Sequence, residues 1–246
     1  MDRSVAGRQR PAALRSTPVS PTAGTASQES RAAAWPEVLL ASASPRRTQL
    51  LRGAGVRHRV IVQPIDDAAL SPGCGDAERW PVALAYLKSR AAMENELCRA
   101  PGQSADRPVV VIGADTVLIH RGKLLGKPAD AAEARRVLAA LRSDEHVAVT
   151  GVALSCAHAA RREFFAVRAT VRFGAITEGQ LDEHVGSGAW AGKAGGYNLG
   201  EVVAAGWDVT CQGDPTAVIG LPMEALTQRL RAWGVPLELL HANNPA

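Results

Sequence analysis

From Trp35 onward the chain alternates short β-branched, apolar runs with segments of helical period, and this alternation confines it to a mixed α/β architecture. Glu37–Ala41 (EVLLA) reads as a buried strand, and Ser44-Pro45 opens a helix through Leu51, with serine suited to the N-cap and proline to the first helical position. Gly53 and Gly55 end that helix, and residues 57–63 alternate like a second strand. A helix is expected over 78–97, with Leu84, Leu87, Ala91 and Glu94 on one face. Residues 109–112 form a continuous apolar strand, central in a sheet if both faces are covered. Residues 117–119 and 123–125 flank Arg121-Gly122, a hairpin pattern. Asp130 begins a helix with Ala134, Val137, Leu138 and Leu141 on one side. Two longer strands follow over 146–156 and 162–173. A short helix over 177–187, a Gly-rich stretch, a strand over 207–211 and a last helix over 222–233 complete the order. No internal repeat is visible. The expectation is one α/β domain over 35–236, behind a disordered basic arm at 1–34 and before a tail at 237–246.

Charge placement decides what the basic character means. The formal net charge of the 246 residues is +4. Residues 1–34 hold five Arg against Asp2 and Glu29, so the remaining 212 residues are nearly neutral, with 23 bases and 22 acids. A nucleic-acid partner would rest on the arm alone, since the body has no recognition-helix pattern and only 4% of the chain is aromatic. No apolar run approaches membrane-spanning length, and the N-terminus lacks the apolar core of a secretion signal. The four cysteines (Cys74, Cys98, Cys156, Cys211) are widely spaced, without a C-x-x-C pair or a neighbouring His, which predicts reduced thiols rather than disulfides or a structural zinc site.

Three constellations carry chemistry. Ser42-Ala43-Ser44-Pro45-Arg46-Arg47 stands at a strand-to-helix junction, where amide N–H groups, hydroxyls and guanidiniums make a phosphate cradle; an ordinary capped helix with a solvated basic turn is the plain alternative. Gly113-Ala114-Asp115-Thr116 follows the apolar strand and places a carboxylate where α/β sheets bind ligands, to hold a divalent ion or serve as a base, or merely to cap a strand end. Lys127, in Gly126-Lys127-Pro128, can reach a phosphate or lie on the surface. The third is Gly192-Lys193-Ala194-Gly195-Gly196-Tyr197, with Gly213-Asp214-Pro215 and Gly220-Leu221-Pro222 beyond it. Its glycines admit close backbone approach or make turns, and Tyr197 can stack on a base or pack.

In order and spacing, S-x-S-P-R-R, G-A-D-T, L-G-K-P, H-x-x-x-T-G-V-A-L, K-A-G-G-Y and G-D-P-x-x-V-x-G-L-P resemble the Maf family of nucleoside triphosphate pyrophosphatases over about residues 38–230. The resemblance implies a cytoplasmic, usually homodimeric enzyme of the inosine-triphosphatase-like fold. Such an enzyme cleaves a nucleoside triphosphate to a monophosphate and pyrophosphate with a divalent metal (Mg or Mn), in house-cleaning of nucleotides. It implies Asp115 as the catalytic carboxylate and Ser42, Ser44, Arg46, Arg47, Lys88, Lys127 and Lys193 as phosphate-binding residues, with Thr150 at another polar position. Pro45, Thr116, Tyr197, Gly200 and Glu201 are candidates for base specificity, and Asp115 and Asp67 for the metal.

Two departures bear on substrate. Asp66-Asp67 stands where the family commonly has Asp-Glu. After K-A-G, the dTTP/UTP branch reads A-Y-G-I-Q-G and the 7-methyl-GTP branch F-K-S-E-G, whereas this chain reads Gly196-Tyr197-Asn198-Leu199-Gly200-Glu201. Tyr197 leans towards the dTTP/UTP type; Gly200 replaces its glutamine, and Glu201 offers a carboxylate suited to a guanine edge. The alternatives are a 7-methyl-GTP pyrophosphatase and a non-catalytic nucleotide-binding regulator linked to cell division. Deleting residues 1–34 is expected to leave kcat for pyrophosphate release unchanged; a large loss would place the arm in the site.

Overall fold

The structure, a computed structural model, describes residues 36–62, 65, 70, 77–99, 108–156 and 160–237. The expected arm, Asp67, Cys74 and nearly all of the expected tail lie outside the described residues. Within them a mixed sheet of seven strands forms the frame: β1 (Glu37–Ala41), β2 (Arg59–Val60), β3 (Val109–His120), β4 (Lys123–Leu125), β5 (Glu145–Cys156), β6 (Arg162–Phe173) and β7 (Val209–Gly213). Their order is β2-β1-β3-β5-β6-β7, with β4 also pairing β3. β1 is parallel to β2 and β3, and every other pairing is antiparallel. Helices α1 (Pro45–Gly53), α2 (Trp80–Arg99), α3 (Ala131–Leu141), α4 (Glu178–Gly186), α5 (Leu199–Ala204), α6 (Pro215–Ile219) and α7 (Met223–Ala232) accompany it.

Alternation along β3 sends successive side chains to opposite faces. Val110, Ile112 and Ala114 join Leu51 of α1 and Leu226 and Leu230 of α7 in one core. Val109 and Val111 pack on the other face with Ala92 of α2. A third cluster fills the far half of the sheet, where Leu118, Ala148 and Phe173 meet Leu138, Leu181 and Val202 from α3, α4 and α5.

Local chemistry sets most boundaries. Arg121 and Gly122 both have positive φ (49° and 75°), as a tight two-residue hairpin requires, and join β3 to β4. The Asp130 side chain accepts the Glu133 N–H at 2.7 Å and starts α3. Thr177 and Gln180 form a reciprocal capping box at α4.

Five readings need correction. β3 does not end at Ile112: it runs on through Gly113-Ala114-Asp115-Thr116 to His120, because β5 pairs it without a break from Val110↔Cys156 to Ile119↔Val147. The buried face of α2 carries Leu84, Ala85, Ser89 and Ala92, while Leu87 is exposed. Small residues are needed there because the helix lies directly on the sheet. β2 is only two residues long among the described residues, and the last strand lies two residues later than expected. Helices α5 and α6, too short to show a period, lie beside the glycine motifs, in stretches where no helix is expected from the sequence.

The close seating of α2 depends on two glycines. A Cβ on Gly113 would fall 2.0 Å from the Ala85 carbonyl oxygen, and one on Gly151 would fall 2.3 Å from the Val82 nitrogen. Gly151→Ala is therefore expected to destabilise the protein by about 1–3 kcal/mol, through backbone that must move; urea unfolding checks this, and a change below about 0.5 kcal/mol would contradict it.

A buried aromatic cluster offers a second check. His146, 2% exposed, shares a 2.5 Å hydrogen bond with the Tyr197 hydroxyl and packs against Phe173. Burial, aided by nearby His120, pushes the ring down from 6.5 to about 4. The unfolded chain takes up this proton more readily, so the stability from keeping the ring neutral is complete above pH 6.5 and is lost as pH falls towards 4. The loss is expected to reach about 3 kcal/mol. Urea midpoints followed from pH 7.5 down should show it in wild type, and His146→Gln should remove that part of the acid slope.

Candidate active site

The site begins where the sheet opens. β1 pairs β3 only as far as Ala41↔Gly113, and β4 takes up the same edge at Leu118↔Leu125. Residues 114–117 have no strand on that side: the chain leaving β1 and the chain leaving β4 run towards each other along this edge, and both stop pairing with β3 before they meet. Between them lies a cleft of about 510 Å³. Asp115 and Thr116, adjacent on β3, point to opposite faces of the sheet, so the cleft wraps round an exposed strand edge rather than sitting on one face.

On the α2 face, Lys88 places its Nζ 2.7 Å from Asp115 Oδ1, with both side chains largely shielded (17% and 13% exposed). The glycine seating produces this contact: Ser89 abuts Gly113, and Asp115 pairs with Gly151 in the ladder. Asp115 is the only carboxylate among the described residues lining the cleft.

On the opposite face a polar chain fixes the wall. Each hydroxyl has one proton to give. Thr150 Oγ1 donates to the Ala217 carbonyl at 2.6 Å, so Thr116 donates to Thr150 at 2.7 Å and itself accepts from Arg47 Nη2 at 3.4 Å. Arg47 also donates from Nε to the Gly220 carbonyl and from Nη1 to Ser42 Oγ, both at 2.9 Å. Its guanidinium thus ties the strand-to-helix loop, β3 and the α6–α7 turn together. Ser42 Oγ further accepts the Ser44 N–H at 3.2 Å. Ser44 occupies the N-cap position of α1, but its hydroxyl makes no capping bond. Arg46 lines the cleft with a buried Nε that has no hydrogen-bond partner among the described residues.

The remaining cations come from two loops. Lys127 is exposed just beyond β4, and its loop is held by the Gly195 N–H bonded to the Gly126 carbonyl at 2.9 Å. Lys193 precedes a 3₁₀ turn (Ala194–Gly196) in which Gly195 and Gly196 have positive φ (65° and 77°), a conformation that favours glycine. Tyr197 borders the cleft, and its hydroxyl is held by His146.

The fold therefore gathers Ser42, Ser44, Pro45, Arg46, Arg47, Lys88, Asp115, Thr116, Lys127, Lys193 and Tyr197 around one cleft. Gly200 and Glu201 line an adjoining cavity instead, which shares Arg46, Asn198 and Ile219 with the cleft. Asp67 lies outside the described residues. Asn198 was not singled out from the sequence, yet it borders both cavities and caps α5 by accepting the Glu201 N–H at 3.1 Å. The spacing of Asn198 and Glu201, a cap residue three before an acid, was its available signal. No group of three or more His, Cys, Asp or Glu side chains able to hold a metal occurs among the described residues.

A single carboxylate among five cations suits a polyphosphate anion. Comparison with known proteins agrees in extent and kind. The sequence profile described as Maf-like protein matches residues 37–233. A dTTP/UTP pyrophosphatase from Salinibacter ruber is 35% identical over 196 residues, 79% of this chain and 90% of the relative. Proteins of the same name from Desulfitobacterium hafniense and Bordetella parapertussis are 34% and 36% identical, covering 81% of this chain and 86% and 94% of their own lengths. With the profile matching nearly all of the chain beyond residue 36, this protein belongs to the Maf family.

Proposed function

We propose that this protein hydrolyses the α–β phosphoanhydride of nucleoside triphosphates of the dTTP/UTP type, releasing a monophosphate and pyrophosphate. The observation that carries the reading is Asp115, one carboxylate set on an open strand edge and ringed by Arg46, Lys88, Lys127 and Lys193. The names of the relatives support the reaction and the substrate type.

In this mechanism the cations draw the triphosphate into the cleft and neutralise charge on the departing pyrophosphate. Arg46, whose Nε has no partner among the described residues, supplies a planar fork for phosphate oxygens. Arg47 acts chiefly by holding Ser42 and Thr116 in place. Asp115 orients the attacking water and accepts its proton, while Lys88 keeps the carboxylate directed into the cleft.

The donor set also fits a divalent ion shared with the substrate. Mg²⁺ commonly takes one or two carboxylates plus phosphate oxygens and keeps several waters, and the cleft offers Asp115 with neighbouring hydroxyls. Asp115 would hold such an ion, with Asp67 as its proposed second ligand. Bound there, Mg²⁺ or Mn²⁺ would polarise the phosphoryl group under attack. Family membership supports extending the reading to a cytoplasmic homodimer. No helix among the described residues is long and apolar enough to cross a membrane.

The test is pyrophosphate release from a panel of nucleoside triphosphates with Mg²⁺ or Mn²⁺. Turnover is expected to be fastest with dTTP or UTP and to fall about a hundredfold or more in Asp115→Asn. Absence of turnover on every nucleotide, or full activity in Asp115→Asn, would refute the mechanism.

A further inference from the structure

Lys193 enters the cleft wall with 11% of its side chain exposed, and its only ionic partner among the described residues is Glu201, whose carboxylate meets the ammonium directly. Glu201 does not line the cleft. It stands in the first turn of α5, half exposed (47%), in the wall of the adjoining cavity. The intervening segment is pinned: Tyr197 by His146, and Asn198 by its capping bond to the Glu201 N–H. These anchors keep the two charged ends within reach of each other. An acid in a first helical turn is favoured by the helix dipole wherever its side chain points. The dipole explains why position 201 is acidic; it does not explain why this carboxylate engages a largely buried lysine of the cleft.

We propose that Glu201 is a positioning residue that acts through Lys193, holding its ammonium in a pair that bound phosphate must share or break, and so moderating the grip of the cleft on polyphosphate. The proposal rests on the cleft being the polyphosphate site. An ammonium has three N–H donors, so phosphate oxygens and Glu201 compete for one charge. Removing the negative charge of Glu201 while keeping an acceptor leaves that charge wholly to the ligand. In the absence of Lys193, Glu201 exerts only screened repulsion from the rim.

Calorimetric binding of inorganic pyrophosphate to the wild-type chain, Glu201→Gln, Lys193→Met and the double variant tests this. Glu201 is half exposed on a helix surface, so glutamine is tolerated there. Glu201→Gln is expected to bind pyrophosphate about fivefold more tightly in the wild-type background, and less than about twofold more tightly in the Lys193→Met background. In turnover, KM for the nucleotide is expected to fall by a similar factor with kcat nearly unchanged. Equal gains in both backgrounds would reduce Glu201 to through-space repulsion and overturn the proposal, as would unchanged or weaker binding by Glu201→Gln. A wild-type protein that binds no pyrophosphate would instead refute the polyphosphate reading of the cleft, and the proposal with it.

Discussion

The site depends on one steric fact: helix α2 rests its backbone directly on the sheet. Gly113 on β3 and Gly151 on β5 leave no room for a side chain beneath the helix. Ser89 of α2, fully buried, fits against Gly113 and shares a 3.2 Å hydrogen bond with Ser155 of β5. At this spacing a lysine on α2 reaches a carboxylate on β3, and Lys88 meets Asp115 at 2.7 Å. A bulkier residue at either glycine would lift the helix and separate the pair.

A second constraint acts along the strand. β3 is continuous over twelve residues, held on one side by β5, but its other side is shared by two short strands that leave a gap. The gap exposes an edge from which Asp115 and Thr116 diverge to opposite faces. Arg47 then spans the opening, bonded to Ser42 before α1, to Thr116 on β3 and to Gly220 before α7. The cleft is therefore built from rigid elements on three sides, with its charge concentrated locally in a body that carries almost no net charge. A local field of this kind attracts a compact anion.

Much of this was legible in the sequence wherever local chemistry acts alone. The hairpin at Arg121-Gly122, the cap at Asp130, the short helix from 177 and the long β5–β6 pair follow from turn and cap residues and from β-branched runs. The motif order also brought eleven of the proposed residues to a single cleft. What failed were places where tertiary packing outweighs local preference. Gly113 and Asp115 resemble a turn, yet a ten-residue ladder with β5 keeps them in a strand. Leu87 looks like a core position, but close seating turns Ala85 and Ser89 inward instead. The engagement of Lys193 by Glu201 was not legible either, since it depends on a loop whose path no periodicity encodes.

The central claim is that polyphosphate binds across the open edge of β3, with Asp115 facing the bond to be broken. A crystal structure with a nucleotide whose α–β bridging oxygen is replaced by a methylene group tests it most directly. The account predicts phosphates between Ser42, Arg46 and Lys193, with the Asp115 carboxylate towards the α–β bridge. Phosphates bound elsewhere, as in the groove beside Tyr86 and Phe164, or directed away from Asp115, would contradict it.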